Sequence, residues 1–306
     1  KTYQGTVMNL FPSTQPDPNP LPTRAIPEGG PPFIYNRPFD ATFSALTGSA
    51  SLQYRWNRSF SSYASYARSF KSGGFNTRYN APPPGFVPVP FDEESVESYE
   101  VGAKVDIGGD FRINVAAFRA DYNDIQMIFR QGVVPLLFNA GEATIQGLEA
   151  ELRYHPTSGL VVEGGLSTLD DEIKSITPVP GSVATVAPGD ELPLTPGFQG
   201  NLAVSFRIAV NDRFTLTPRV DGSYTSSLTF ITPGSDPLIE QEGFFTGNAT
   251  LTFADKSKGW RVTAGVQNLS DERYLVQGNA SLGTLGYAER IFARPRNWFM
   301  QLAVDF

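Results

Sequence analysis

The sequence predicts an all-β fold, a transmembrane antiparallel β-barrel. Three observations lead there. Apolar and polar residues alternate with a period of two in segment after segment, the mark of strands with two unlike faces. Short polar turns and long stretches rich in Pro and Gly alternate as the connections. No apolar run reaches the length of about 18 residues that a spanning helix needs.

In chain order, strands are expected at 1–10, 46–56, 60–74, 95–107, 111–129, 142–155, 160–174, 197–210, 214–230, 244–254, 260–276 and 289–306, about twelve in all. Their alternation is plain. Leu148, Ala150, Leu152 and Tyr154 oppose Glu149, Glu151, Arg153 and His155. Phe198, Leu202, Val204, Phe206 and Ile208 oppose Gln199, Asn201, Ser205 and Arg207. Phe214, Leu216, Pro218 and Val220, then Phe245, Ala249, Leu251 and Phe253, then Trp260, Val262, Ala264 and Val266 repeat the theme. The short connections fall at 57–59, 108–110, 156–159, 211–213 and 255–259, and fit tight hairpins. The long ones fall at 11–45, 75–94, 131–141, 175–196, 231–243 and 277–288.

Short turns at one end and long loops at the other are the layout of a membrane barrel. Its polar parity lines the lumen, its apolar parity meets lipid, and closure supplies the backbone hydrogen bonds that lipid cannot. A soluble sandwich or propeller also alternates, but does not sort its loops so regularly. Residues 1–45 read as an incoming strand and a long Pro-rich extracellular loop, and residues 46–306 as C-terminal barrel strands. The last strand carries Trp298, Met300, Leu302, Val304 and Phe306 on one parity, turned to the bilayer. Trp298 and Phe306 suit aromatic girdles. A terminal Phe on such a strand resembles the signal read by the barrel-assembly machinery. With Phe306 on the periplasmic side, the short turns are periplasmic and the long loops extracellular.

Composition narrows the function. Among 306 residues, 24 basic and 31 acidic side chains leave a net charge of −7, which argues against a nucleic-acid partner. No cysteine is present, so disulfides and thiolate metal sites are excluded. His155 is the sole histidine, and no Gly-x-Ser-x-Gly elbow occurs. No catalytic constellation, metal site or cofactor is expected. The run Asp170-Asp171-Glu172 reads as a solvated loop end, with a divalent cation as the alternative. Gly141 and Gly147 flank a strand start, where glycine permits a bulge or a close approach. Asn268-Leu269-Ser270-Asp271 breaks the alternation of the strand 260–276, which suggests a bulge there, with the Asn and Asp side chains satisfying freed backbone groups. KTYQGTVMNL does not open like a secretory signal, so the chain reads as mature or as lacking its front.

Five segments, in order, resemble the C-terminal barrel half of TonB-dependent outer-membrane receptors. They are YASYARSFKSGGFN (63–76, with Ser69 where the family usually has Gly), FDEESVESYEVGAKVD (91–106), FNAGEATIQGLEAELRYHP (138–156), NLSDERY (268–274) and ARPRNWFMQLAVDF (293–306). The resemblance implies a barrel of about 22 strands around an N-terminal plug. It also implies uptake energised through TonB, in the outer membrane of a Gram-negative bacterium. The plug and the TonB box have no counterpart in these residues. Expected partners are outer-membrane lipid and lipopolysaccharide, the TonB system through a plug not in this chain, the barrel-assembly machinery and a small-molecule ligand.

For ligand capture, cations beside aromatics at the outer ends of strands are the candidates: Arg68, Lys71, Phe75, Arg78 and Tyr79 after the third strand, and Tyr122, Gln126, Phe129 and Arg130 at the end of the fifth. They suit an anionic or aromatic ligand such as a ferric siderophore. An aromatic girdle with basic residues facing lipopolysaccharide is the alternative. The leading function is a receptor importing a scarce nutrient, by default an iron chelate. A self-contained twelve-stranded pore or enzyme, or a surface-assembly protein acting through its loops, stands beside it.

Overall fold

The computed structural model describes residues 2–9, 35–80, 88–131, 134–177, 186–230, 237–280 and 286–304. Eleven long strands form one antiparallel wall: β1 (Gly48–Arg55), β2 (Phe60–Lys71), β3 (Glu94–Ile107), β4 (Phe111–Asn123), β5 (Gly141–Tyr154), β6 (Leu160–Ile176), β7 (Phe198–Phe206), β8 (Phe214–Thr225), β9 (Phe244–Asp255), β10 (Trp260–Gln267) and β11 (Asn297–Val304). With the two-residue piece Ile208–Ala209 beside β8, the sheet counts twelve strands. Every strand pairs with its neighbours in sequence, and β1 and β11 are the two edges, so the barrel is not closed. No described helix is long and apolar enough to cross a membrane.

The short turns show why these residues reverse the chain. Between β3 and β4, Gly108 and Gly109 have φ of 65° and 79°, and Asp110 N donates to Ile107 O at 3.2 Å. The register pairs Ile107 with Phe111, so residues 108–110 make the connection, and its two positive φ values fall on glycines, which adopt them freely. Two other turns use an Asn instead. Asn57 Oδ1 accepts from Ser59 N at 2.8 Å, and Asn211 Oδ1 accepts from Arg213 N at 2.9 Å and Phe214 N at 2.8 Å. In each the side chain stands in for a backbone acceptor.

The long connections are more ordered than their composition implies. Two-stranded ribbons rise from the wall: Gly74–Asn80 with Pro88–Phe91, Gln126–Gln131 with Val134–Asn139, Leu228–Thr229 with Glu240–Gln241, and Leu275–Ala280 with Ala288–Phe292. Proline is tolerated there because each ribbon strand has a free edge. Thr2–Asn9 pairs with Tyr35–Thr42 in a separate ribbon, not with the wall. The Pro-rich stretch 11–34 lies outside the described residues.

The expected strand 111–129 is therefore two elements, broken at Asp124 (φ 53°). The strand 260–276 breaks at Asn268 (φ 55°) and Asp271 (φ 56°), where the backbone turns on the Asp271 N to Asn268 O bond of 3.0 Å. Both asparagine and aspartate tolerate the left-handed region better than other side chains. At the start of β5, the register against β6 shifts between Glu142 and Ala143, beside Gly141 with φ 133°. A Cβ on Gly147 would lie 2.0 Å from Thr168 O, so the close approach expected there is real.

Candidate functional site

The register places residues of like character in rows across the wall. One row runs Leu52, Ala64, Val101, Ala117, Leu148, Thr168, Phe198. Another runs Val162, Val204, Val220, Ala249, Val266, Trp298. Most of their large members are exposed, among them Leu52 at 75%, Leu148 at 56% and Trp298 at 77%, while Val266 is buried. A broad apolar face open to the surroundings belongs against lipid.

One pleat away, on the opposite face, the row reads Asp106, Arg112, Arg153, Glu163, Ala203, Asp221, Asn248. This is the lumenal face. Arg112 Nη2 meets Asp106 Oδ2 at 2.7 Å, and Arg153 Nε lies 3.5 Å from Glu163 Oε1. Arg219 reaches over the small Ala203 to Glu163 Oε2 at 3.3 Å and also contacts Asp221 at 3.6 Å. Asn248 Nδ2 donates to Asp221 Oδ2 at 2.7 Å. Each pair is half-exposed and contributes little stability alone. Together they make a wetted, charge-balanced wall. Tyr63 adds to it, donating from its hydroxyl to Glu100 Oε1 at 2.5 Å with Lys104 5.5 Å from its ring centre.

At the end of the wall that carries the long connections, two inward structures form. Ile125, Met127, Phe129, Ala140, Ala143, Ile173 and Leu192 bury one another. Ala143 and Ile173 hold lumenal register positions, so the ribbon Gln126–Asn139 and the segment around Leu192 fold over the mouth of the lumen. The second structure lies over β9–β11. There Thr246, Asn248, Gln267, Tyr274, Phe292 and Arg294 help to line a concavity of 470 Å³. Its floor is pinned by Asn268. Asn268 N donates to Asn248 Oδ1 at 3.0 Å, Asn268 Nδ2 to Glu272 O at 2.9 Å, and Glu272 N to Asn268 Oδ1 at 2.8 Å. Asp271 Oδ1 accepts from Arg296 N at 2.7 Å, so NLSDERY and ARPR are knit together.

Residues 17–269 match the model of the TonB dependent receptor-like beta-barrel family. This chain belongs to that family. Its fold agrees. The ferric yersiniabactin uptake receptor FyuA of Yersinia pestis superposes with a TM-score of 0.70 at 22% identity, over 91% of this chain and 40% of its own. The ferric-catecholate import receptor Fiu of E. coli K12 gives 0.65 at 19% identity, over 90% and 37%. The ferric preacinetobactin receptor BauA of Acinetobacter baumannii gives 0.63 at 19%, over 93% and 38%. The chain thus spans about two fifths of the length of these solved structures. As a TonB-dependent receptor barrel it is a protein of the Gram-negative outer membrane, in a family of transport receptors.

Within this receptor barrel the residues singled out from sequence take separate places. Arg68 sits on the outward parity, 3.5 Å from Glu97, in a polar belt above the apolar face. The belt continues through Arg119, which holds Asp121 by Nε at 3.0 Å and Nη2 at 2.8 Å, and Thr144, which donates to Asp121 at 2.9 Å. Lys71 takes the lumenal parity opposite Glu94. Phe75 is half-buried in its ribbon. Tyr122 packs against the loop cluster, and Phe129 is part of it at 3% exposure. Gln126 is buried; its amide donates to Ser72 O at 3.2 Å and Asp92 O at 2.9 Å, stitching two ribbons. The side chains of Arg78, Tyr79 and Arg130 lie outside the described residues, as does Phe306. Trp298, Met300, Leu302 and Val304 are exposed on the outward face, as their alternation predicts.

The run Asp170-Asp171-Glu172 is split by the pleat. Asp171 turns inward and accepts from Leu192 N, while Asp170 Oδ2 accepts from Gln146 Nε2 at 2.8 Å and Glu172 pairs with Lys174. Sequence reasoning missed the concavity at 246–297. Its only local signal was the pair of motifs at 268–274 and 293–296, read from sequence as marks of the family resemblance, with a backbone irregularity at 268–271.

Proposed function

We propose that this chain forms part of the barrel wall of a receptor that imports a scarce nutrient, an iron chelate by default, with energy delivered through TonB. One observation carries the reading: an incomplete wall with an apolar face, a charged lumenal face and loops folded over the mouth of the lumen. The edges β1 and β11 each present a row of backbone donors and acceptors, which lipid cannot satisfy. Further strands of the same protein would pair with them, and a plug would meet the charged row on the lumenal face. In this reading the site does no covalent chemistry. It binds, orients and releases a ligand.

Cells carrying the full-length gene test this. Uptake of radiolabelled iron is measured for a panel of ferric chelates, with and without TonB. Uptake that needs both the gene and TonB is the expected result. Uptake that persists without TonB would make the protein a passive pore, and no uptake of any chelate would remove iron as cargo.

A further inference from the structure

The apolar face carries a hollow of its own. Leu202, Val204, Val220, Phe245 and Leu269 rim a notch of 380 Å³ that opens on the lipid-facing side of β7–β9. The register shows how it forms. Leu202 pairs with Gly222 and Gly222 with Gly247, and Leu269 N donates to Gly247 O at 2.8 Å. Two glycines therefore lie side by side between two leucines. The Phe245 ring closes one end, since a Cβ on Gly222 would lie 2.6 Å from its Cζ. Val204 and Val220 pair across the other end. Leu269 takes its place because the left-handed turn at Asn268 ends β10. Asp221 borders the notch too, but its carboxylate is held on the lumenal face by Asn248 and Arg219.

Gly222 seats the Phe245 ring, whereas Gly247 seats nothing. A Cβ there would meet no atom closer than 3.5 Å, so a larger residue would fit and fill the floor. Glycine inside a strand weakens it and marks places of close approach. The surroundings decide what approaches. The notch is continuous with the face that lies against lipid, and its rim is open, Leu202 at 55% and Phe245 at 54% exposure. In hydrocarbon, an empty hollow forfeits contacts that an acyl chain restores. A cation stands at the rim. Arg296 Nη1 donates to Leu269 O at 3.3 Å, and Arg296 N donates to Asp271 Oδ1 at 2.7 Å. The Arg296 guanidinium makes no ion pair among the described residues. A guanidinium beside an apolar hollow matches a lipid phosphate above its acyl chain.

We propose that this notch seats one acyl chain of an anionic, phosphate-bearing membrane lipid whose headgroup is held by Arg296. The proposal rests on the lipid-facing side of the wall and not on what the receptor carries.

The test is native mass spectrometry of the purified full-length receptor in detergent, titrated with dioleoylphosphatidylglycerol or dioleoylphosphatidylcholine. The two lipids share their chains and differ in headgroup charge. Retention of the heat-modifiable barrel on electrophoresis checks the folding of each variant. Wild type is expected to hold one phosphatidylglycerol about tenfold more tightly than phosphatidylcholine, the effect of one charged hydrogen bond. Arg296→Gln should remove that preference, and Arg296→Lys should keep most of it. Gly247→Val should weaken both lipids about tenfold, by displacing about two methylenes from the notch. Gly247→Ala, which fills less, should fall between. Equal affinity of wild type for the two lipids, or unchanged binding in folded Gly247→Val, overturns the proposal. A receptor dimer that Gly247→Val dissociates would place a second copy in the notch and also overturn it.

Discussion

Asn268 is the residue whose loss is most informative. It is 7% exposed, has φ 55° and exchanges two hydrogen bonds with the backbone of Glu272, at 2.8 and 2.9 Å. Asn268→Ala deletes both. At a net value of about 1 kcal/mol each, this costs about 2 kcal/mol. Alanine also pays about 1 kcal/mol to hold a left-handed conformation that asparagine accepts more readily. The third contact, Nδ2 to Arg294 O at 3.4 Å, is long, and Arg294 is exposed, so water replaces it at little cost. The total is about 3 kcal/mol. Asn268→Gly loses the same bonds without the conformational penalty and should cost about 2 kcal/mol. Urea unfolding of the full-length protein in lipid vesicles, followed by tryptophan fluorescence, measures both. A cost below about 0.5 kcal/mol for alanine, or a glycine variant less stable than the alanine variant, would refute the assignment of this turn as a hydrogen-bonded left-handed corner.

Three further outcomes follow from particular contacts. A Cβ on Gly102 would sit 2.4 Å from the Tyr63 ring, which its bond to Glu100 holds in place, so Gly102→Ala should cost about 1–3 kcal/mol. That cost should vanish in a Tyr63→Ala background, which a double-mutant unfolding cycle reads directly. At the short turn between β9 and β10, the Asp255 side chain is fully buried and holds Arg213 at 2.6 Å, Ser257 N at 2.9 Å and Ser257 Oγ at 2.7 Å. Asp255→Asn should lower the urea midpoint more than Asp106→Asn, whose ion pair is exposed; equal midpoints would contradict this. The face assignment is tested by fluorophores on Leu148→Cys and Glu149→Cys. Brominated lipid should quench the first and aqueous iodide the second, and the reverse pattern would invert the wall.

The strand pattern of this receptor barrel was legible because it is local. Leu148 and Glu149 point to opposite faces whatever lies beyond, since the pleat turns successive side chains apart. The turns at Gly108-Gly109 and Asn211 were legible for the same reason, whereas at Asn268–Asp271 only an irregularity was legible: a bulge was expected, and the strand ends there instead. The ribbons were not. Their Gly and Pro content reads as loop, and only the pairing of Gln126–Gln131 with Val134–Asn139 makes them strands.

The candidate site was less legible still. Composition picked Arg68, Tyr122, Gln126 and Phe129 as neighbours of a ligand. The fold sent Arg68 to the outward belt and spent Tyr122, Gln126 and Phe129 on holding loops together. It gathered Thr246, Gln267, Phe292 and Arg294 into one hollow instead.

The sequence by itself determined the strands, their two faces, the tight turns and the family, because each is written in residues a few positions apart. Tertiary structure decided the charged row, the capped mouth and the hollow over β9–β11. Those depend on register between strands, as when Arg219 reaches Glu163 across β7. Register is a relation between distant segments, and a one-residue slip would leave every local pattern intact while moving each of these side chains to a different neighbour.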